Sequence, residues 1–285
     1  MGKSVSKHRL KRQKWSVLDI AVNVFVVLLA LLNLFSLYWM LVNSFQFTYK
    51  IVRIPPEWFP ASFTLDNYSD LFKGSNALLW LMNSLLIAVL VMVFTLMVSS
   101  LAAYAFAKMR FTGRKTLFII LISTLMVPKE IIFVPLYITT KNLGLIGNIF
   151  SMILPNLGFP LGMFLLKQFY ESIPETLREA ARIDGCSELM VYFRIVLPLG
   201  KAGLSALGIM TFINTWNDYL WQLLMTTKDK LKTLPIGVAA LQQQINPNYG
   251  LRLAGACLSA IPMIILFLIF QKSFSQGLTI GAIKE

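Results

Sequence analysis

Six stretches of this chain, near residues 17–43, 77–107, 117–139, 149–168, 196–224 and 254–272, are mostly apolar and each about 20 residues long or longer. A helix of that length crosses the hydrocarbon core of a bilayer, where a backbone must satisfy its own hydrogen bonds. The runs predict an all-α membrane protein with about six transmembrane helices. Composition agrees, with 56% of the 285 residues hydrophobic and 14% charged, against about 25% charged in a soluble domain. Mean hydropathy is +0.68.

The net charge is +13 and the pI about 9.8. In a soluble protein this would point to nucleic acid. Here the distribution matters more. Lys3, Lys7, Arg9, Lys11, Arg12 and Lys14 stand directly before the first apolar run, where basic residues set orientation. Only Asp19 interrupts Val17–Val42, which is too long for the roughly 7–15-residue core of a cleaved signal peptide, so it reads as a retained first span. An even number of spans puts both termini on one side. The segments then expected inside hold 17 of the 26 lysines and arginines, which predicts cytoplasmic termini. The outer loop 225–253, with Lys228, Lys230, Lys232 and Arg252, runs against this bias. The expected layout is a basic cytoplasmic tail at 1–16, a transmembrane domain at 17–272 with a polar cytoplasmic loop at 171–199, and a cytoplasmic tail at 273–285.

Metal and nucleophile chemistry have few candidates. Cys186 falls in the cytoplasmic loop and Cys257 in a span, which argues against a disulfide. The sole histidine, His8, lies in the basic tail. Zinc sites and Ser-His-Asp or Cys-His arrangements lack ligands or a base, so an intramembrane enzyme is disfavoured.

Prolines shape the loops and spans. Pro55-Pro56-Glu57-Trp58-Phe59-Pro60 predicts an extended outer loop, with Trp58 and Phe59 suited to the headgroup level. Pro128, Pro135, Pro155, Pro160, Pro198 and Pro262 fall in or near spans and bend them, for packing or for translocation. Internal repeats are not evident, which counts against a secondary carrier built from repeats.

The most informative polar stretch runs from Glu171 to Leu199. Ser172-Ile173-Pro174-Glu175 has the form of a capping box. Thr176–Asp184 then supplies good helix formers, with Leu177, Ala180, Ala181 and Asp184 spaced by three or four, and Gly185 permits a tight turn. Two readings fit. One is a short helix across the cytoplasmic face, whose alanines admit a partner and whose Glu179 bonds a partner arginine. The other is an amphipathic connector lying on the membrane, which periodicity alone favours.

Glu179-Ala180-Ala181, then three residues, Gly185, nine residues, and Ile195-Val196-Leu197-Pro198 resembles the EAA loop of binding-protein-dependent ABC importer permeases, with its full spacing. In that family the loop forms a coupling helix that docks on an ATP-binding subunit. The resemblance assigns that coupling to Glu179, Ala180, Ala181, Asp184, Gly185, Ile195, Leu197 and Pro198. More of the chain resembles the carbohydrate-uptake members. Pro56–Pro60 followed by Phe63-Thr64-Leu65-Asp66-Asn67-Tyr68 is similar to their first outer loop. Asn83-Ser84, Ala102-Tyr104-Ala105-Phe106-Ala107, Phe111 with Gly113-Arg114, and Asn142-Leu143-Gly144-Leu145 are also similar. So are Trp216-Asn217-Asp218-Tyr219-Leu220-Trp221 in the fifth span and the ending Gly277–Lys284, the latter of the maltose-type second permease. Gln222 departs from the proline frequent in relatives.

The resemblance implies a type I ABC importer permease fold that forms half of a sugar pathway, the sugar most simply an oligosaccharide. It implies a second homologous permease, two ATP-binding subunits and an extracytoplasmic sugar-binding protein as partners. ATP and magnesium would bind the partner ATPase, with no cofactor in this chain, which lacks a G-x-x-x-x-G-K-[ST] loop. An ion-gradient carrier is the rival, as is an ABC permease for a monosaccharide, a sialic acid or glycerol phosphate.

Asn214, Asn217, Asp218 and Trp221 share one helical stripe in the fifth span, flanked by Trp216 and Tyr219. Planar polar groups and aromatic faces suit sugar hydroxyls and C–H faces. The same aromatics equally fit an interfacial belt. Lys129-Glu130 reads as a second intramembrane pair, structural or snorkelling.

Overall fold

The computed structural model describes residues 16–60, 62–241 and 248–280, with side chains described as far as residue 270. The basic tail to residue 15, residues 242–247 of the basic 225–253 loop and the last five residues, 281–285, lie outside the described residues. Among the described residues all regular structure is helical. The helices are α1 (Val17–Ser44), α2 (Thr48–Ile51), α3 (Asp66–Gly74), α4 (Ala77–Lys108), α5 (Arg114–Ser123), α6 (Lys129–Asn142), α7 (Ile149–Ile153) and α8 (Pro160–Glu171). They continue as α9 (Glu175–Ile183), α10 (Glu188–Val191), α11 (Leu197–Leu199), α12 (Lys201–Trp216), α13 (Tyr219–Met225), α14 (Leu234–Leu241) and α15 (Tyr249–Ile280).

Three described helices are long and apolar enough to cross a membrane: α1, α4 and the Tyr249–Phe270 part of α15. Three bent pairs pass the same test of length and composition when taken together, Arg114–Met126 with Lys129–Asn142 at 101°, Ile149–Asn156 with Pro160–Glu171 at 45°, and Glu188–Leu199 with Lys201–Trp216 at 77°. Counted as single spans they bring the total to six. The fourth helical run predicted from sequence, like the third and fifth, is therefore not one straight helix. Val127, before Pro128, has ψ 115°, and Phe159, before Pro160, has ψ 83°. A residue preceding proline is driven out of the helical region by the ring, and the first two breaks fall there, whereas the third falls at Gly200. The fifth run also stops at Asn217-Asp218, where Asp218 takes ψ 79°. α15 extends to Ile280, past the expected end of the last span at residue 272.

α4 is the central post, packed against α8 and α12. Its buried stripe of Val91, Thr95, Ser99 and Ala103 repeats every four residues with small side chains, so neighbouring backbones approach closely without an apolar driving force from lipid. At Gly203 on α12 a Cβ would lie 2.7 Å from the Phe169 ring of α8, so that crossing needs glycine. α1 lies outside this bundle and packs chiefly on α15, with most of its apolar surface exposed as in a lipid-facing helix.

The segments between α1 and α4 and between α13 and α15 are tied down by side-chain amides. Buried Asn67 donates to the Ser44 and Gln46 carbonyls at 2.9 and 2.8 Å, holding α3 to the end of α1. Asn83 donates to the carbonyls of Lys230 and Lys232, and Ser84 Oγ accepts from the Leu234 amide at 2.8 Å. The basic loop that ran against the charge bias is thus strapped to α4. Trp58 lies on α1, where the Tyr38 hydroxyl donates to its carbonyl at 2.8 Å and its ring is 5.4 Å from that of Trp39.

Candidate functional site

The segment singled out by sequence folds as a helix with two unlike faces. α9 spans Glu175–Ile183, but the expected capping box is not formed. Pro174 occupies the cap position without a side-chain bond, and Ser172 Oγ donates to the Phe169 carbonyl instead. Glu175 is drawn away by Arg178, whose Nε donates to it at 2.6 Å. Arg178 is the hinge of the inner face. Its side chain is only 11% exposed, and it also pairs with Glu188 at 3.1 Å. Arg182 pairs with the same Glu188, and the Tyr104 hydroxyl of α4 donates to it at 2.5 Å. Lys108, at the end of α4, donates to the Ile173 carbonyl at 2.6 Å and lies 3.6 Å from Glu175. Burial opposes ionisation of Glu175, but the hydrogen bond and charge of Arg178, with the charge of Lys108, hold its carboxyl below the ordinary carboxylate range. This network locks one face of α9 to the spans.

The other face is unoccupied by any described residue. Glu179 and Ala180 are exposed, as are Leu177 and Ile183, the last at 86%. Ala181 points inward and is buried, so of the two adjacent alanines only Ala180 is available to a partner. α9 ends in a Schellman turn: the Cys186 amide donates to the Ala181 carbonyl at 2.9 Å and the Gly185 amide to that of Arg182 at 3.0 Å. Gly185 has φ +82°, a left-handed conformation that glycine adopts without strain. Asp184, exposed, precedes it. After α10 the chain widens into a π-helical turn at Tyr192–Val196, which accommodates the missing amide and the ring of Pro198. Ile195 and Leu197 are partly buried there and Pro198 is exposed. Ser100 on α4 bridges the hydroxyls of Tyr170 and Tyr192 at 2.5 and 2.8 Å, so this turn is wired into the bundle. Sequence reasoning gave no attachment role to Tyr104, Arg178 or Glu188, which carry it.

The second place is a cavity of about 530 Å³ where three spans break. Lys129 enters it from the start of α6, Asn156 and Gly158 from the α7–α8 break, and Asp218 from the α12–α13 break. Irregular backbone at membrane depth is tolerated where it lines a cavity. The apolar walls include Val91, Phe133 and Trp221, and Asn214 and Thr215 add polar groups. Lys129 pairs with Asp218 at 3.2 Å, not with its neighbour Glu130.

Of the residues read as one stripe, Asn214, Asp218 and Trp221 meet at this cavity. The helix break places them on two segments rather than one. Trp216 is buried and stacks on Phe212 with ring centres 5.8 Å apart. Asn217 bonds back to the Ile213 carbonyl, and Tyr219 is 40% exposed. Trp221 is 1% exposed and donates to the Ser151 carbonyl at 3.0 Å. Gln222, the departure from the family pattern, is also buried and donates to the Thr215 carbonyl at 2.7 Å across the break. Among the described residues no group of three or more His, Cys, Asp or Glu is placed to hold a metal, and Cys186 and Cys257 are free.

Comparison with known proteins follows the same lines. Residues 96–280 match the family described as binding-protein-dependent transport system inner membrane component. The arabinooligosaccharides transport system permease protein AraQ of Bacillus subtilis is 35% identical, over 95% of this chain and 98% of that one. The diacetylchitobiose uptake system permease protein DasC of Streptomyces coelicolor is 29% identical, over 92% and 96%. In structure, the chain is similar to one from a bacterial ABC transporter involved in the import of the acidic polysaccharide alginate. The TM-score is 0.81 at 22% identity, covering 91% of this chain and 99% of that one.

Proposed function

Because the chain belongs to the family of binding-protein-dependent transport system inner membrane components, a family of non-catalytic transport subunits, we propose that it forms half of the membrane pathway of an ATP-driven oligosaccharide importer. Its fold is that of ABC importer permeases. The importer reading adds a second homologous permease, two ATP-binding subunits that hold ATP and magnesium, and an extracytoplasmic sugar-binding protein. Both termini are cytoplasmic in this reading. The oligosaccharide is supported by relatives named for arabinooligosaccharides and diacetylchitobiose.

One observation carries the coupling role. α9 is fastened to the spans through Arg178 and Lys108 on one side and leaves Glu179, Ala180 and Ile183 bare on the other. A connector lying on lipid has no need of such a lock. A helix that transmits force between an ATPase and the spans does. ATP closes the partner dimer and draws the coupling helices together, and the cavity turns outward because ATP binds the closed dimer more tightly. Asn214 and Asp218, with the aromatic wall of Phe133 and Trp221, line the pathway in this reading.

The test is uptake by vesicles carrying the assembled transporter, with and without ATP and with a proton ionophore. Uptake should require ATP and survive the ionophore. Glu179→Lys should weaken co-purification of the ATP-binding subunit about tenfold or more, as an interfacial charge left unpaired costs about 2–5 kcal/mol. The titratable Lys129–Asp218 pair at the cavity favours an ion-gradient carrier as the second reading. Uptake without ATP that collapses with the ionophore would establish that reading instead.

A further inference from the structure

A second cavity, of about 360 Å³, is walled by Phe106, Arg114, Lys115, Phe118 and Lys167. It lies where the last turn of α4, the first turn of α5 and the end of α8 adjoin, at the same end of the bundle as α9. Neither the coupling face nor the translocation cavity uses it.

Its charges are unevenly satisfied. Lys167 is 12% exposed, bonds Glu171 at 2.6 Å and sits 4.5 Å over the Phe118 ring. The Arg114 guanidinium donates only to the Met109 carbonyl, at 3.0 Å. Among the described residues the Lys115 side chain has no hydrogen bond and neither Arg114 nor Lys115 has an ion pair. Both occupy the first turn of α5, where the helix dipole is already positive and cations are disfavoured. A general excess of basic residues at one membrane face explains their sign. It does not explain two uncompensated cations converging with a third in one aromatic-walled cavity.

The surface beside the cavity is apolar. Along α5, Leu117, Ile119 and Ile120 are 49%, 54% and 56% exposed. A ligand matching both parts has an anionic head and a hydrocarbon tail. We propose that this cavity binds the phosphate of an anionic phospholipid, whose acyl chains run along the exposed face of α5. Basic cavities between helix ends are suited to such headgroups. The site is independent of the solute that the pathway carries.

The test uses the complete transporter purified in detergent. Native mass spectrometry follows its titration with phosphatidylglycerol or phosphatidylcholine. One phosphatidylglycerol should bind more tightly than any phosphatidylcholine. Lys115→Ala, and then Lys115→Ala with Arg114→Gln, should weaken that lipid about fivefold per cation removed. Lys141→Gln, an exposed basic position at the other end of the bundle, should leave it unchanged. Lys115 is exposed, so its variant keeps the fold and the single substitution suffices. Equal binding of the two lipids, or unchanged binding in the variants, would overturn the proposal. Displacement of the lipid by millimolar inorganic phosphate would also overturn it, in favour of a site for free phosphate.

Discussion

Lys129 and Asp218, 89 residues apart in the chain, meet at 3.2 Å across the cavity where two broken spans face one another. The lysine starts α6 and the aspartate occupies the position before α13 without capping it through its side chain, so the contact joins two helix breaks. Asp218 is 10% exposed and Lys129 54%. The half-exposed lysine keeps the pair weak in stability terms, within about 1 kcal/mol.

Removing either charge should therefore alter transport more than folding. Asp218→Asn and Lys129→Met are each expected to slow ATP-driven uptake severalfold while melting temperature hardly moves. The exchanged pair, Lys129→Asp with Asp218→Lys, should recover part of the loss, with a coupling energy of about 1 kcal/mol. Uptake rates of the four members of the cycle decide it. Strict additivity would mean that the two side chains do not act together.

Gly185 is constrained by backbone and not by space. No atom lies within 4 Å of where its Cβ would be, yet φ is +82°. Gly185→Val should strain the turn by about 1–2 kcal/mol and reorient α10 relative to α9. ATPase stimulation by the sugar-loaded binding protein is expected to fall, with insertion in the membrane unchanged. Gly185→Asn, which tolerates the left-handed region better, should retain more of it. Full stimulation in the valine variant would show that the turn plays no part in coupling.

Acid should loosen α9. Glu175 has a carboxyl held below its ordinary value of 4.5 by Arg178 and Lys108, against the opposing effect of burial. A depressed carboxylate adds stability above its unfolded value, and that stability is lost as pH falls through the folded one. The carboxylate is 44% exposed, which limits the contribution to about 1 kcal/mol. Thermal unfolding followed from neutral pH to below 4.5 should show a shallower decline in Glu175→Gln than in the parent. Identical slopes would remove Glu175 from the acid response.

Trp221 does structural work as well as facing the cavity. Its ring is 1% exposed and its indole N–H holds the Ser151 carbonyl of α7. Trp221→Ala should destabilise the subunit by about 3–5 kcal/mol and leave that carbonyl unpaired, so assembly falls together with uptake. Trp221→Phe keeps most of the bulk and should lose less. Normal yield and melting of the alanine variant would contradict the packing seen here.

The six apolar helical runs and the α9 segment were legible in the residues themselves. Lipid demands unbroken apolar runs, and those runs are written contiguously in the chain. The spacing from Glu179 through Gly185 to Pro198 is likewise local, since a helix, its glycine terminator and the following proline each act through neighbours in sequence. What local pattern misjudged was continuity. Residues 196–224 read as one span with a single polar stripe, but the helix stops at Asn217-Asp218, and Gln222 bonds the Thr215 carbonyl across the break. The alternative of an aromatic belt for Trp216, Tyr219 and Trp221 also depended on burial, which separates exposed Tyr219 from two enclosed indoles. Glu175 served Arg178 rather than a cap, and Lys129 chose Asp218 over its neighbour Glu130. Each outcome turns on distant groups that only tertiary packing brings within hydrogen-bonding range, and energies that fall off within a few ångströms leave no trace in sequence spacing.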